Sequence, residues 1–132
     1  MRALLQSLLR LKPLAILLAG LAGGVATPSL AAPLCTPDLA IASTHLSEMH
    51  ASQRIWTARI AVDASQCAAA SGRFFIRFVR LKEIGPDLAF SEPFIWRPGL
   101  IEVSTVFAAD EAVLDYALGY VRPCACRTVG SR

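Results

Sequence analysis

From Ile55 to Asp63 the chain alternates without interruption: Trp56, Ala58, Ile60 and Val62 fall on one side, and Thr57, Arg59 and Asp63 on the other. Period two of this quality calls for a β-strand with one face in a core and the other in water. The remaining sequence repeats that grammar in short runs separated by turn residues, with no convincing helix. Strands are expected at 39–46, 55–63, 73–82, 88–96, 100–107 and 113–122, with 124–128 able to pair as a seventh.

Some runs carry a signature of their own. In 73–82 the residues Phe74, Ile76 and Phe78 alternate with Arg73 and Arg77, whereas Val79 and Leu81 alternate with Arg80 and Lys82. A β-bulge between Phe78 and Val79 would keep both apolar sets in the core. Pro93 places 88–96 at an edge or breaks it. In the last long run, Leu114, Tyr116, Leu118 and Tyr120 share one side, and Tyr116 is weakly suggestive of a tyrosine corner. Residues 108–112 read as a connector that could make a short helical turn. Six or seven strands in about 100 residues, with turns about ten residues apart, predict an all-β, immunoglobulin-like β-sandwich. Its core is expected from Trp56 and the aromatics at 74, 75, 78, 90, 94, 96 and 107.

The N-terminus has a different character. Arg2, Arg10 and Lys12 precede an apolar run over 14–22, and a small-residue zone leads to Ser29-Leu30-Ala31-Ala32. This is the layout of a secretory signal peptide, cleaved best after Ala31 and leaving a domain of residues 32–132. The apolar run is shorter than the ~20 residues of a spanning helix, so no stable membrane insertion is expected after cleavage. Leu34 directly before Cys35 disfavours a lipid anchor. Those three residues belong to the 13 basic ones, and all 10 acidic residues lie beyond them, so the exported chain is formally neutral. It has no basic tract, which removes the basis for nucleic-acid binding. The destination is the periplasm or the exterior.

Cys35, Cys67, Cys124 and Cys126 all survive cleavage, and an even count in a small exported domain reads as a disulfide framework. A bridge within Cys124-Ala125-Cys126 would close a very small, strained ring. Cys35 and Cys67 are therefore each expected to pair with one of the C-terminal two. A redox-active Cys-x-Cys is the weaker reading, because only Arg122 and Arg127 are near to lower a thiol pKa.

Catalytic constellations are absent from the pattern: there is no Gly-x-Ser-x-Gly elbow, no phosphate-cradling glycine loop and no paired acids. No cofactor is expected and the domain is read as non-enzymatic. His45, Met49 and His50, with the Cys-x-Cys, suggest soft-ligand copper chemistry, against which stands the plainer reading of a polar strand end and loop. Binding is the more natural use of a sandwich, whose open edges accept extended peptides. Arg73 and Arg77, with Arg59 on a neighbouring strand, are the candidate partner-binding residues, forming a basic stripe on one solvent face. The plainer alternative is a row of solvated charges paired with Asp63 and Glu102.

The stretches Arg73–Glu83, Phe94–Phe107 and Ala109-Asp110-Glu111-Ala112-Val113 follow an order of features that resembles the small periplasmic curli-assembly proteins of the CsgC/CsgH type. That resemblance, over about half of the mature chain, implies an immunoglobulin-like domain that keeps an amyloidogenic curli subunit soluble and suppresses premature fibre formation. Because such subunits are often acidic, it also implies electrostatic contact through Arg73 and Arg77. Some members carry a Cys-x-Cys early in the domain; here Cys124-Ala125-Cys126 is C-terminal, so that motif does not carry over. A periplasmic redox or copper-handling protein and a generic adhesion or assembly module are the alternative functions.

Overall fold

The computed structural model of the chain describes residues 30–128 and 130. Residues 1–29 of the expected export signal lie outside that range. No helix among the described residues is long and apolar enough to cross a membrane.

The domain is an all-β sandwich. Its strands are β1 (Leu34–Cys35), β2 (Asp38–Leu46), β3 (Gln53–Asp63), β4 (Gly72–Lys82), β5 (Leu88–Trp96), β6 (Gly99–Ala108), β7 (Glu111–Val121) and β8 (Cys124–Ala125). One sheet has the order β2-β3-β6, the second β5-β4-β7, and β1 with β8 makes a short separate ribbon. All pairings are antiparallel. The links β3–β4, β5–β6 and β6–β7 each pass from one sheet to the other, as in Greek-key immunoglobulin-like sandwiches.

Strand β3 realises the alternation in full: Trp56, Ala58, Ile60 and Val62 are buried, while Arg59, Ala61 and Asp63 face water. They meet Phe74, Ile76 and Phe78 of β4, Trp96 of β5, and Val103 and Phe107 of β6. Phe78 is the hub, with its ring 4.8 Å from Trp56, 5.3 Å from Phe90 and 5.7 Å from Phe107. Edge-to-face and offset pairs of this kind contribute beyond the area they bury. Pro93 lies in an edge strand, as its missing N–H requires. The segment 108–112 forms a tight turn at Ala109-Asp110 rather than a helical turn.

Strand β4 departs from expectation. It runs against β5 from Gly72 to Arg80 with no register shift, so there is no bulge between Phe78 and Val79. Alternation continues, and Arg80 takes the inward position while Val79 and Leu81 turn outward. The charge is accommodated at the rim of the core. The Arg80 guanidinium lies 4.0 Å from the Phe90 ring centre and 4.4 Å from that of Phe107, and its Nη1 donates to Glu111 Oε2 at 2.8 Å.

The irregularities sit in β7 instead, where one extra residue enters between the partners of Phe74 and Ile76 and another between those of Val79 and Arg80. Each insertion reverses which side the next residues face. Val113, Leu118 and Val121 therefore pack against the core, while Leu114 and Tyr120 are exposed, and the four-residue apolar side read from 114–120 is split. Phe75 likewise leaves the expected core for the outer face, where its ring lies 6.4 Å from that of Tyr120. Tyr116 packs on Trp56 at 5.2 Å and shares a hydroxyl–hydroxyl hydrogen bond with Thr44 across the sandwich, rather than closing a local tyrosine corner.

Two disulfides, Cys35–Cys126 and Cys67–Cys124, staple the chain ends to the body. The C-terminal segment lies between Pro33–Cys35 and the Cys67 loop: Cys126 N donates to Pro33 O, and Ala68 N to Ala125 O, both at 2.9 Å. Strand β8 thus joins β1 and not a main sheet. Before the Cys67 loop, Asp63 Oδ1 accepts from the Ser65 backbone N–H at 2.9 Å. That bond, with help from the Ser65 hydroxyl and against a slight opposing effect of burial, holds the Asp63 carboxyl below its ordinary pKa.

Candidate functional site

The three candidate arginines do not share a surface. Arg59 projects from β3 on the outer face of the β2-β3-β6 sheet, opposite Glu102 in register. Arg73 and Arg77 project from β4, the central strand of the other sheet. All three are exposed, but Arg59 stands on the far side of the sandwich from the other two. Sheet membership is set by long-range pairing, which alternation within a strand does not encode.

Arg73 and Arg77 do stand together, four residues and so two pleat repeats apart on the same strand face, with Phe75 between them. Cross-strand partners define what surrounds them. Arg73 is opposite Ile95, Phe75 opposite Pro93, Arg77 opposite Ser91 and Ala117, Val79 opposite Ala89 and Asp115, and Leu81 opposite Ala112. Gly119 completes the floor under Phe75, since a Cβ there would come within 3.3 Å of the Phe75 carbonyl oxygen. The result is a broad surface of small residues from which larger apolar groups stand up, Ile95 at 54% exposure and Tyr120 at 63%.

Neither arginine is held by a carboxylate. Among the described residues the ion pairs within 4.0 Å are Arg80–Glu111 and Lys82–Glu111. Asp63 is engaged by Ser65, and no ion pair forms between Arg59 and Glu102. Among the described residues the guanidinium forks of Arg73 and Arg77 therefore remain available to external acceptors, next to exposed apolar surface. Isolated exposed apolar residues are ordinary, but a cluster of them around unpaired cations is a feature of binding surfaces. Sequence reading named the arginines and missed Phe75, Ile95 and Tyr120. The signal that would have found Phe75 is the unbroken alternation of β4 itself, which puts 73, 75, 77, 79 and 81 on one face.

Cys124 and Cys126, the pair of the redox alternative, are bonded to Cys67 and Cys35 and not to each other. All four cysteines are consumed in disulfides, which removes thiolate donors and leaves no free cysteine. His45 is an exposed residue of β2, and His50 closes a tight turn by two backbone hydrogen bonds with Gln53, at 2.8 and 2.9 Å. Among the described residues no group of three or more His, Cys, Asp or Glu side chains converges as a metal site would require.

No protein-family model, no curated protein and no solved structure matches the chain.

Proposed function

We propose that this chain is an exported, non-enzymatic, chaperone-like binding protein that keeps amyloidogenic curli-type subunits soluble in the periplasm and delays premature fibre formation. The observation that carries the reading is the outer face of the β5-β4-β7 sheet, where Arg73 and Arg77 lack carboxylate partners and flank exposed apolar residues. The pattern-level resemblance to curli-assembly proteins points the same way, and the two disulfides are compatible with an oxidising compartment.

The chemistry of the client follows from that surface. An amyloid-forming segment is an extended strand with one apolar row and few charges. Its apolar side chains would lie over Phe75, Val79 and Ile95, and its scattered carboxylates would meet Arg73 and Arg77. Contacts of this type are individually weak, about 0.2–1 kcal/mol for an exposed ion pair. Weakness suits the task, because transient engagement of many monomers or nuclei lets a small amount of protein retard a large pool of subunit.

The test is the lag time of curli-type subunit fibrillation followed by thioflavin fluorescence. Substoichiometric domain should lengthen the lag, and Arg73→Glu with Arg77→Glu should largely abolish the effect while leaving the unfolding midpoint unchanged, since both side chains are exposed. An unchanged lag with the unsubstituted domain would overturn the proposal.

A further inference from the structure

Two three-stranded sheets present four terminal strands, and three of them are visibly obstructed. Strand β2 is interrupted by a register shift between Ile41 and Ser43. Strand β5 carries Pro93, and β7 has two shifts. Bulges and prolines are the common means of keeping a sheet edge from pairing with another chain. Strand β6 has neither. It pairs with β3 at ten consecutive positions, from Gly99 opposite Val62 to Ala108 opposite Gln53, without a shift. It contains no proline, lysine or arginine, and its one charge is Glu102.

In an antiparallel ladder every second residue of an edge strand aims its N–H and C=O away from its neighbour. Among the described residues, the β6 backbone finds no partner outside the sheet except at its end, where Ala108 N donates to Glu111 Oε2. An open, regular edge of this length is the part of the domain best prepared for strand addition.

We infer that the occupant is a second copy of this chain, joined through β6 in antiparallel fashion about a two-fold axis at Val103. The side-chain order of β6 is self-complementary in that register. On the outer face Leu100 of each copy would oppose Val106 of the other, and Glu102 would oppose Ser104. On the inner face Ile101 would oppose Thr105. Leu100 and Val106 are 54% and 48% exposed in the single domain, so both gain cover. A two-residue slip one way sets Glu102 against Glu102, and the other way sets Glu102 against Val106; like charges directly opposite each other are unfavourable. The edge's sole charge is acidic, so an acidic client strand is directed away from β6 and towards Arg73 and Arg77. The dimer has one continuous six-stranded sheet, β2-β3-β6 followed by β6-β3-β2, and leaves the outer face of β4 open.

Sedimentation velocity of the exported domain across a concentration series tests this. The chain should pass from monomer to dimer. Ser104→Glu sets a second carboxylate against Glu102 at two symmetric places and should weaken dimerisation about tenfold. Ser104→Arg creates two opposed pairs with Glu102 and should tighten it. Circular dichroism should show both variants folded. Ser104→Glu should still delay fibre formation, so loss of the dimer and loss of client binding are separately visible. A chain that stays monomeric at every concentration overturns the inference. So does a dimer that responds alike to both charges at position 104.

Discussion

Replacing Arg80 with Met removes a guanidinium held on three sides inside the rim of the sandwich. It lies 4.0 and 4.4 Å from two aromatic ring centres and 2.8 Å from Glu111, with side-chain exposures of 17% for Arg80 and 11% for Glu111. Cation–π contacts contribute about 0.5–2 kcal/mol each. Removing one partner of a buried pair costs about 3–5 kcal/mol, most of it from the charge left behind. Two things moderate that figure: the site is only partly buried, and Lys82 Nζ stays 3.8 Å from Glu111. Methionine also restores some packing against Phe90 and Phe107. The expected loss is roughly 3 kcal/mol in a urea unfolding titration with unchanged slope. Glu111→Gln keeps an acceptor for Arg80 and the ring stacking but leaves the guanidinium without its counter-charge, and should cost about 2 kcal/mol. Val79→Ser should also cost no more than about 1 kcal/mol, because Val79 faces outward. A bulge after Phe78 would invert this order. A neutral Arg80→Met together with a Val79→Ser loss above about 2 kcal/mol would refute the placement of Arg80 in the core rim.

Removal of the Cys67–Cys124 bridge by paired Ala substitution reopens a loop spanning 57 residues, and chain entropy puts the cost near 4 kcal/mol; thiol titration of the unreduced, unfolded parent should find no reactive thiol. Gly72→Ala should destabilise the domain by about 1–3 kcal/mol and perturb tryptophan fluorescence, since the new methyl would lie 2.8 Å from the buried Trp96 indole; an unchanged midpoint would contradict the packing of β4 against Trp96.

The sandwich was legible because its signals are local. Alternation over 55–63 and the edge marker Pro93 each depend on a few adjacent residues. Cysteine pairing was narrowed by ring size alone, and the structure selects Cys35–Cys126 and Cys67–Cys124. What escaped was long-range. An arginine reads as an outward residue until its partners are known, and Phe90, Phe107 and Glu111 lie 10, 27 and 31 positions from Arg80 in the numbering. The insertions in β7 appear only against β4, and with them the exposure of Tyr120. Arg59 reads as a neighbour of Arg73 and Arg77 because 55–63 and 73–82 are successive strand candidates, yet β3 and β4 belong to different sheets.

Backbone amide chemical shifts of the labelled domain, recorded while unlabelled soluble curli-type subunit is added, report which face of the sandwich meets the client. Perturbations should gather on Arg73–Leu81 of β4 and on its neighbours Ile95, Ala117 and Tyr120, and fade as salt is raised. No perturbation, or perturbation confined to the Arg59 face of the β2-β3-β6 sheet, would contradict the proposed client surface.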